Sequence, residues 1–217
     1  KDIIDGCTFD NNLPCIAEKE VFVFDNVADR LIAGMIKNGC ILLNRAQADE
    51  LAKVVLVEKT NPKTGKTVHT VSRDCVGRDC RVILEKIGIK VGPEIRCAIA
   101  EVPFDHPFVQ EELMMPILGI VRAKDIDDAI EKAVWLEHGN RHSAHMHSKN
   151  VENITKFGKA IDTAIFVKNA PSYAALGFGG EGYCTFTIAS RTGEGLTSAS
   201  TFTKRRQCTM ADSLCVR

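Results

Sequence analysis

Cys15 follows Pro14 directly, and the run Leu13-Pro14-Cys15-Ile16-Ala17-Glu18 predicts the first turn of a short helix. A helix N-terminus favours a thiolate over a thiol, and its free backbone N–H groups can hold an oxyanion. That chemistry is nucleophilic acyl or carbonyl transfer. The plainer alternative for Cys15 is a thiol packed as a small hydrophobe.

Other groups invite chemistry as well. Glu111 and Glu112 form an acidic pair in a loop, which also suits an ordinary solvated surface. His138, His142, His145 and His147 crowd one stretch. On a strand His145 and His147 share a face with His142 opposite, and no Asp, Glu or Cys ligand sits close by, so the spacing argues against one clean zinc site. Gly177-Phe178-Gly179-Gly180-Glu181-Gly182 matches Gly-x-Gly-x-x-Gly literally. It fails as a dinucleotide fingerprint. No strand leads straight into it, Tyr183 to Ile188 alternates like a strand where a helix is required, and Phe202 stands where an acid is wanted. It is expected to be a flexible loop near a substrate or cofactor pocket. Cys75 and Cys80 lack a second pair with zinc spacing and are expected to be two plain thiols.

The elements that must position these groups alternate between strand-like and helix-like, which predicts an α/β fold with a largely parallel sheet flanked by helices. Val21 to Phe24 is a strand ended by Asp25-Asn26. Val27 to Lys37 repeats apolar residues at helical spacing until Gly39, and a second helix runs from about Ala46 to Leu56. Thr60 to Lys66 is a polar turn, and no period is legible from there to Cys80. Ala98 to Val102 and Pro116 to Val121 are buried strands, and Asp125 caps a helix from Ile126 to Glu137. His142 to His147 is a strand, Asn150 to Ile161 a helix, and Ala164 to Val167 a strand. Beyond Asn169 the chain is loop-rich, with a basic cluster Lys204-Arg205-Arg206 and an extended Cys208 to Val216.

The apolar fraction of 45% supports a substantial core. Lysine plus arginine equal aspartate plus glutamate at 28 each, so charge recommends no nucleic acid and no anionic membrane. No apolar run approaches the roughly 20 residues that span a bilayer, and Lys1 to Gly6 lacks a signal-peptide core. A cytoplasmic protein with a small ligand is expected, its nine cysteines reduced. Lys1 to Gly6 has the pattern of a helix tail, which predicts a fragment of a longer chain.

Phe9-Asp10-Asn11-Asn12-Leu13-Pro14-Cys15-Ile16-Ala17-Glu18 closely resembles the nucleophile motif of coenzyme A-acylating aldehyde dehydrogenases, above all the propionaldehyde and acetaldehyde enzymes of bacterial microcompartments. The resemblance runs from Asp10 to the C-terminus. It implies that Cys15 is the catalytic thiol. Val109 to Pro116 is similar to the family segment Glu-Glu-Ile-Phe-Gly-Pro, with Met114 and Met115 in place of the phenylalanine and glycine. Glu112 thereby aligns with the glutamate that binds the nicotinamide ribose, and Glu112 and Met114 are the cofactor-binding candidates. Arg141-His142-Ser143-Ala144 resembles the stretch whose histidine handles the proton beside the thiol, which makes His142 the second catalytic candidate. Lys204-Arg205-Arg206 is similar to the end of the microcompartment enzymes, where basic residues could meet coenzyme A phosphates.

The resemblance implies an aldehyde dehydrogenase-like catalytic domain over 1–195 and an extended segment for subunit association over 196–217, with the dinucleotide-binding domain outside this chain. It implies NAD (or NADP) as cofactor, coenzyme A as cosubstrate, a short-chain aldehyde as substrate, no resident metal, and a homo-oligomer. Residence in a microcompartment lumen, beside its shell, also follows from it. Two alternatives stay open: a hydrolytic dehydrogenase that releases free acid, and a non-enzymatic histidine- and cysteine-rich metal-binding module.

Overall fold

A computed structural model describes residues 1–60, 65, 67–181, 183–187 and 197–211. After α1 (Asp2–Cys7) and an irregular turn, the chain runs β1 (Glu20–Phe24), α2 (Asp25–Lys37), β2 (Cys40–Leu43), α3 (Arg45–Val55), β3 (Leu56–Thr60) and β4 (Thr67–Val71). It continues through α4 (Cys80–Glu85), β5 (Cys97–Glu101), α5 (Pro107–Gln110), β6 (Ile117–Ala123), α6 (Ile126–Leu136), β7 (Ser143–Met146), α7 (Val151–Ile161) and β8 (Ile165–Lys168). A short 3-10 helix, Ser172–Leu176, follows.

The main sheet has the order β1-β6-β5-β2, and every neighbouring pair is parallel. Both faces are covered, so its strands are near-continuous apolar runs without a polar side. On one face Cys97, Ile99, Leu118 and Ile120 meet Ile4 and Cys7 of α1 and Ala28, Ile32 and Met35 of α2. On the other, Ala98, Ala100, Ile117 and Val121 meet Leu51 and Val55 of α3, Ile83 of α4 and Phe108 of α5. Gly119 is glycine because a Cβ there would lie 2.8 Å from the Phe108 carbonyl oxygen.

Local signals set the ends of the helices. Asn44 and Gln47 form a reciprocal capping box on α3. The Asp125 carboxylate accepts from Asp128 N–H on α6, and the Asn150 side chain accepts from Asn153 N–H on α7. β7 and β8 pair in parallel as a separate ribbon. No helix among the described residues is long and apolar enough to cross a membrane.

Several elements differ from the sequence expectations. β2, α4 and the short α5 in the loop before Glu111 are additional elements, and β3 and β4 form an antiparallel hairpin around the expected polar turn. Tyr183 to Thr187 is irregular, not a strand, while Ile188 lies outside the described residues. Of the polar turn, 61–64 and 66 lie outside them too, as do 188–196 and 212–217 of the tail, so the boundary at 195/196 falls there. Cys208 to Ala211 carries no regular structure and is exposed.

Candidate active site

Cys15 lies in a tight turn closed by the Ala17 N–H donating to the Pro14 carbonyl at 3.0 Å, not in the first turn of a helix. Three consecutive residues before it, Asp10, Asn11 and Asn12, take left-handed backbone angles, with φ of 46°, 50° and 66°. That path twists the chain away from helical geometry, and Asp and Asn are the non-glycine residues that tolerate it best.

The strained turn is tied on every side. The Asn11 side-chain amide donates to the Gly77 carbonyl and to Asp79 Oδ1, each at 3.1 Å. Buried Asn12 donates through Nδ2 to the carbonyls of Cys7 and Glu18, each at 2.9 Å. The Glu18 carboxylate is only 5% exposed and accepts the Ser172 N–H through Oε1 at 3.0 Å. Glu18 Oε2 is buried without a hydrogen-bond partner among the described residues, and a Cβ on Gly6 would sit 2.1 Å from it. Burial pushes the Glu18 carboxyl up to about 7.

Cys15, Glu112 and His142, drawn from three distant stretches, line one cavity of about 1170 Å³. The cavity runs along the free edges of β1 and β7. Partial burial of the Cys15 thiol raises its pKa, and the Glu112 carboxylate adds to the rise. Lys19 and the backbone N–H groups of Cys15 and Ile16 pull the other way. The helix-terminus activation expected from sequence is therefore absent. The turn's own N–H groups remain as hydrogen-bond donors beside the sulfur.

Glu112 stands on the cavity wall with its side chain 53% exposed and its Oε1 3.4 Å from Lys19 Nζ. A half-exposed carboxylate facing the thiol's cavity fits a ligand's hydroxyl donors. Met114 does not line the cavity: its backbone is left-handed at φ 54°, and its carbonyl accepts the Gly77 N–H at 3.0 Å. His142, immediately before β7, is oriented by its N–H donating to Glu137 Oε1 at 2.9 Å and by Nδ1 lying 3.0 Å from Ser143 Oγ.

Cys75 and Cys80 are free and buried. The loop between them braces the turn, because Gly77 contacts both Asn11 and Met114. Among the described residues, no three His, Cys, Asp or Glu side chains cluster in a way that could hold a metal ion. The glycine-rich loop follows the Ser172–Leu176 helix, and its Phe178 packs on Phe9 at a centroid distance of 6.0 Å, close to the turn.

Asn12, Glu18 and Lys19 escaped the sequence reading. The signal was the polar run Glu18-Lys19-Glu20 leading straight into an apolar strand, where charge has no reason to be unless it is paired.

The sequence model described as the aldehyde dehydrogenase family matches residues 1–204. The acetylating acetaldehyde dehydrogenase of Salmonella typhimurium is 46% identical over 213 residues, covering 98% of this chain and 45% of its own length. The CoA-propanoylating propanal dehydrogenase of the same organism is 43% identical, covering 100% of this chain and 45% of itself. Among solved structures, a propionaldehyde dehydrogenase from the Clostridium phytofermentans fucose utilisation microcompartment is 64% identical with a TM-score of 0.86, covering 100% of this chain and 48% of that one. The Rhodopseudomonas palustris propionaldehyde dehydrogenase, solved with bound CoA and an acylated cysteine, is 51% identical with a TM-score of 0.87, covering 96% of this chain and 46% of that one. The chain thus spans less than half the length of the curated relatives it matches.

Proposed function

Because the chain belongs to the aldehyde dehydrogenase family, we propose that it supplies the thiol-bearing catalytic domain of an enzyme that oxidises a short-chain aldehyde to its acyl-coenzyme A ester. The observation that carries this reading is the meeting of Cys15, Glu112 and His142 on one cavity. Propionaldehyde and acetaldehyde are the proposed substrates, by likeness to the relatives that act on them.

In the proposed cycle Cys15 thiolate attacks the aldehyde carbon, forming a C–S bond while the carbonyl electrons move to oxygen. Backbone N–H groups of the turn favour that developing negative charge. A bound nicotinamide cofactor, NAD or NADP, supplies the oxidation by accepting a hydride, which leaves a thioester on Cys15. Glu112, which lines the cavity, would hold the cofactor's ribose hydroxyls. His142 then takes the proton of the entering coenzyme A thiol. The new sulfur displaces Cys15 from the acyl carbon, and the enzyme thiolate is restored.

Residues 1–195 form the catalytic domain in this reading, and 196–217 the segment used in subunit association of a homo-oligomer. The microcompartment source of one structural relative supports placing the enzyme in such a lumen, beside the shell. The test is acyl-coenzyme A formation by the enzyme at the length of its relatives. Cys15→Ser abolishes product, and omission of coenzyme A yields little free acid. Normal turnover in Cys15→Ser overturns the reading, and brisk acid release without coenzyme A moves it to a hydrolytic dehydrogenase.

A further inference from the structure

Lys19 bridges the Cys15 turn and Glu112. Its Nζ donates to Asn12 Oδ1 at 2.7 Å, to the Asn12 carbonyl at 3.1 Å and toward the Pro14 carbonyl at 3.4 Å. The Pro14 carbonyl is the same one that closes the Cys15 turn. A fourth oxygen, Glu112 Oε1, lies 3.4 Å away. An ammonium has three hydrogens, so four acceptors saturate it. The side chain is only 17% exposed, which removes most of the solvent screening that weakens surface pairs.

We propose that Lys19 is a positioning residue that clamps the Cys15 turn, pins the Glu112 carboxylate beside it, and supplies the positive charge on the sulfur's side of the cavity. The proposal rests on the reading of Cys15 as nucleophile and deepens it. The groups around the thiol fall on three segments: Glu18, Lys19 and Glu20 follow it in its own segment, Glu112 comes from the loop before β6, and His142 stands on the same cavity wall. The Glu112 carboxylate bears on a thiol that must ionise, and Lys19 is the lysine set against it. Of these groups, Lys19 lowers the thiol's pKa and Glu112 raises it. Burial already opposes the thiolate, so loss of the ammonium leaves only the turn's backbone N–H groups to offset the Glu112 charge.

The experiment is the pH dependence of Cys15 alkylation, mapped by mass spectrometry, with exposed Cys208 as the internal reference. Lys19→Gln moves the Cys15 midpoint upward by about half a pH unit or more and leaves Cys208 in place, whereas Lys19→Arg, which keeps the charge, restores it. A folded Lys19→Gln protein with an unmoved midpoint overturns the proposal. Should Lys19→Gln not fold, Glu112→Gln carries the same test with opposite sign: its midpoint falls, and an unmoved value overturns the proposal. Neither result touches the nucleophile assignment, which stands or falls with the activity of Cys15→Ser.

Discussion

Glu18 accepts the backbone N–H of Ser172 at 3.0 Å across 154 residues of sequence, and this bond joins the nucleophile turn to the helix that precedes the glycine-rich loop. Gly6 packs so closely on the same carboxylate that a Cβ there would lie 2.1 Å from its Oε2.

Glu18 makes stability depend on pH. The carboxyl titrates near 4.5 when unfolded and near 7 when folded, so its contribution is full below about pH 4.5 and is lost as pH rises through about 7. The loss amounts to roughly 3 kcal/mol at most. Urea unfolding of Glu18→Gln at pH 5 and pH 8 reads this directly: the variant matches the wild type at pH 5 and exceeds it at pH 8. An equal difference at both values contradicts the shifted titration. Gly6→Ala, which drives a methyl into the carboxylate, destabilises at both.

Gly77 joins three segments at a left-handed φ of 68°, and a Cβ there would lie 3.1 Å from Leu13. Gly77→Ala therefore costs about 1–3 kcal/mol, partly from backbone strain and partly from the clash. Adding Leu13→Ala relieves only the clash. A double-mutant cycle is expected to give a favourable coupling of about 0.5–1 kcal/mol, and zero coupling refutes the contact.

His145 tilts stability in the opposite direction. Burial holds its ring near 4, and its Nε2 has no hydrogen-bond partner among the described residues. Its contribution is full above about 6.5 and is lost as pH falls through about 4. His145→Leu gains about 2 kcal/mol on the wild type between pH 7.5 and pH 5. Parallel stability curves for the two proteins over that range exclude the effect.

Much of the sheet was legible because its strands and helices differ in period. Val21 to Phe24 and Ile126 to Leu136 carry runs and spacings that no other element produces. β2 was hidden because Cys40 to Leu43 is four residues long and abuts Gly39, so it merged with the helix stop. The β3–β4 hairpin was hidden by polar residues on a ribbon where few apolar groups mark a buried face. At the site, the motif around Cys15 was legible, while its geometry was not. The type of turn depends on Gly77 and Ser172, whose hydrogen bonds to it span distances that no local pattern encodes.

The three left-handed residues ahead of Cys15 carry a consequence for the order in which the molecule is made. Left-handed backbone at non-glycine residues costs of order 1–3 kcal/mol each and persists only when surroundings over-determine it. Here those surroundings are the Gly77 loop and the Ser172 helix, and Ser172 is synthesised 154 residues after the Glu18 it holds. The turn that carries the thiol is therefore made well before the segment that fixes it. A nascent molecule that has yet to gain Ser172 thus carries Cys15 in a turn whose left-handed path is not yet held.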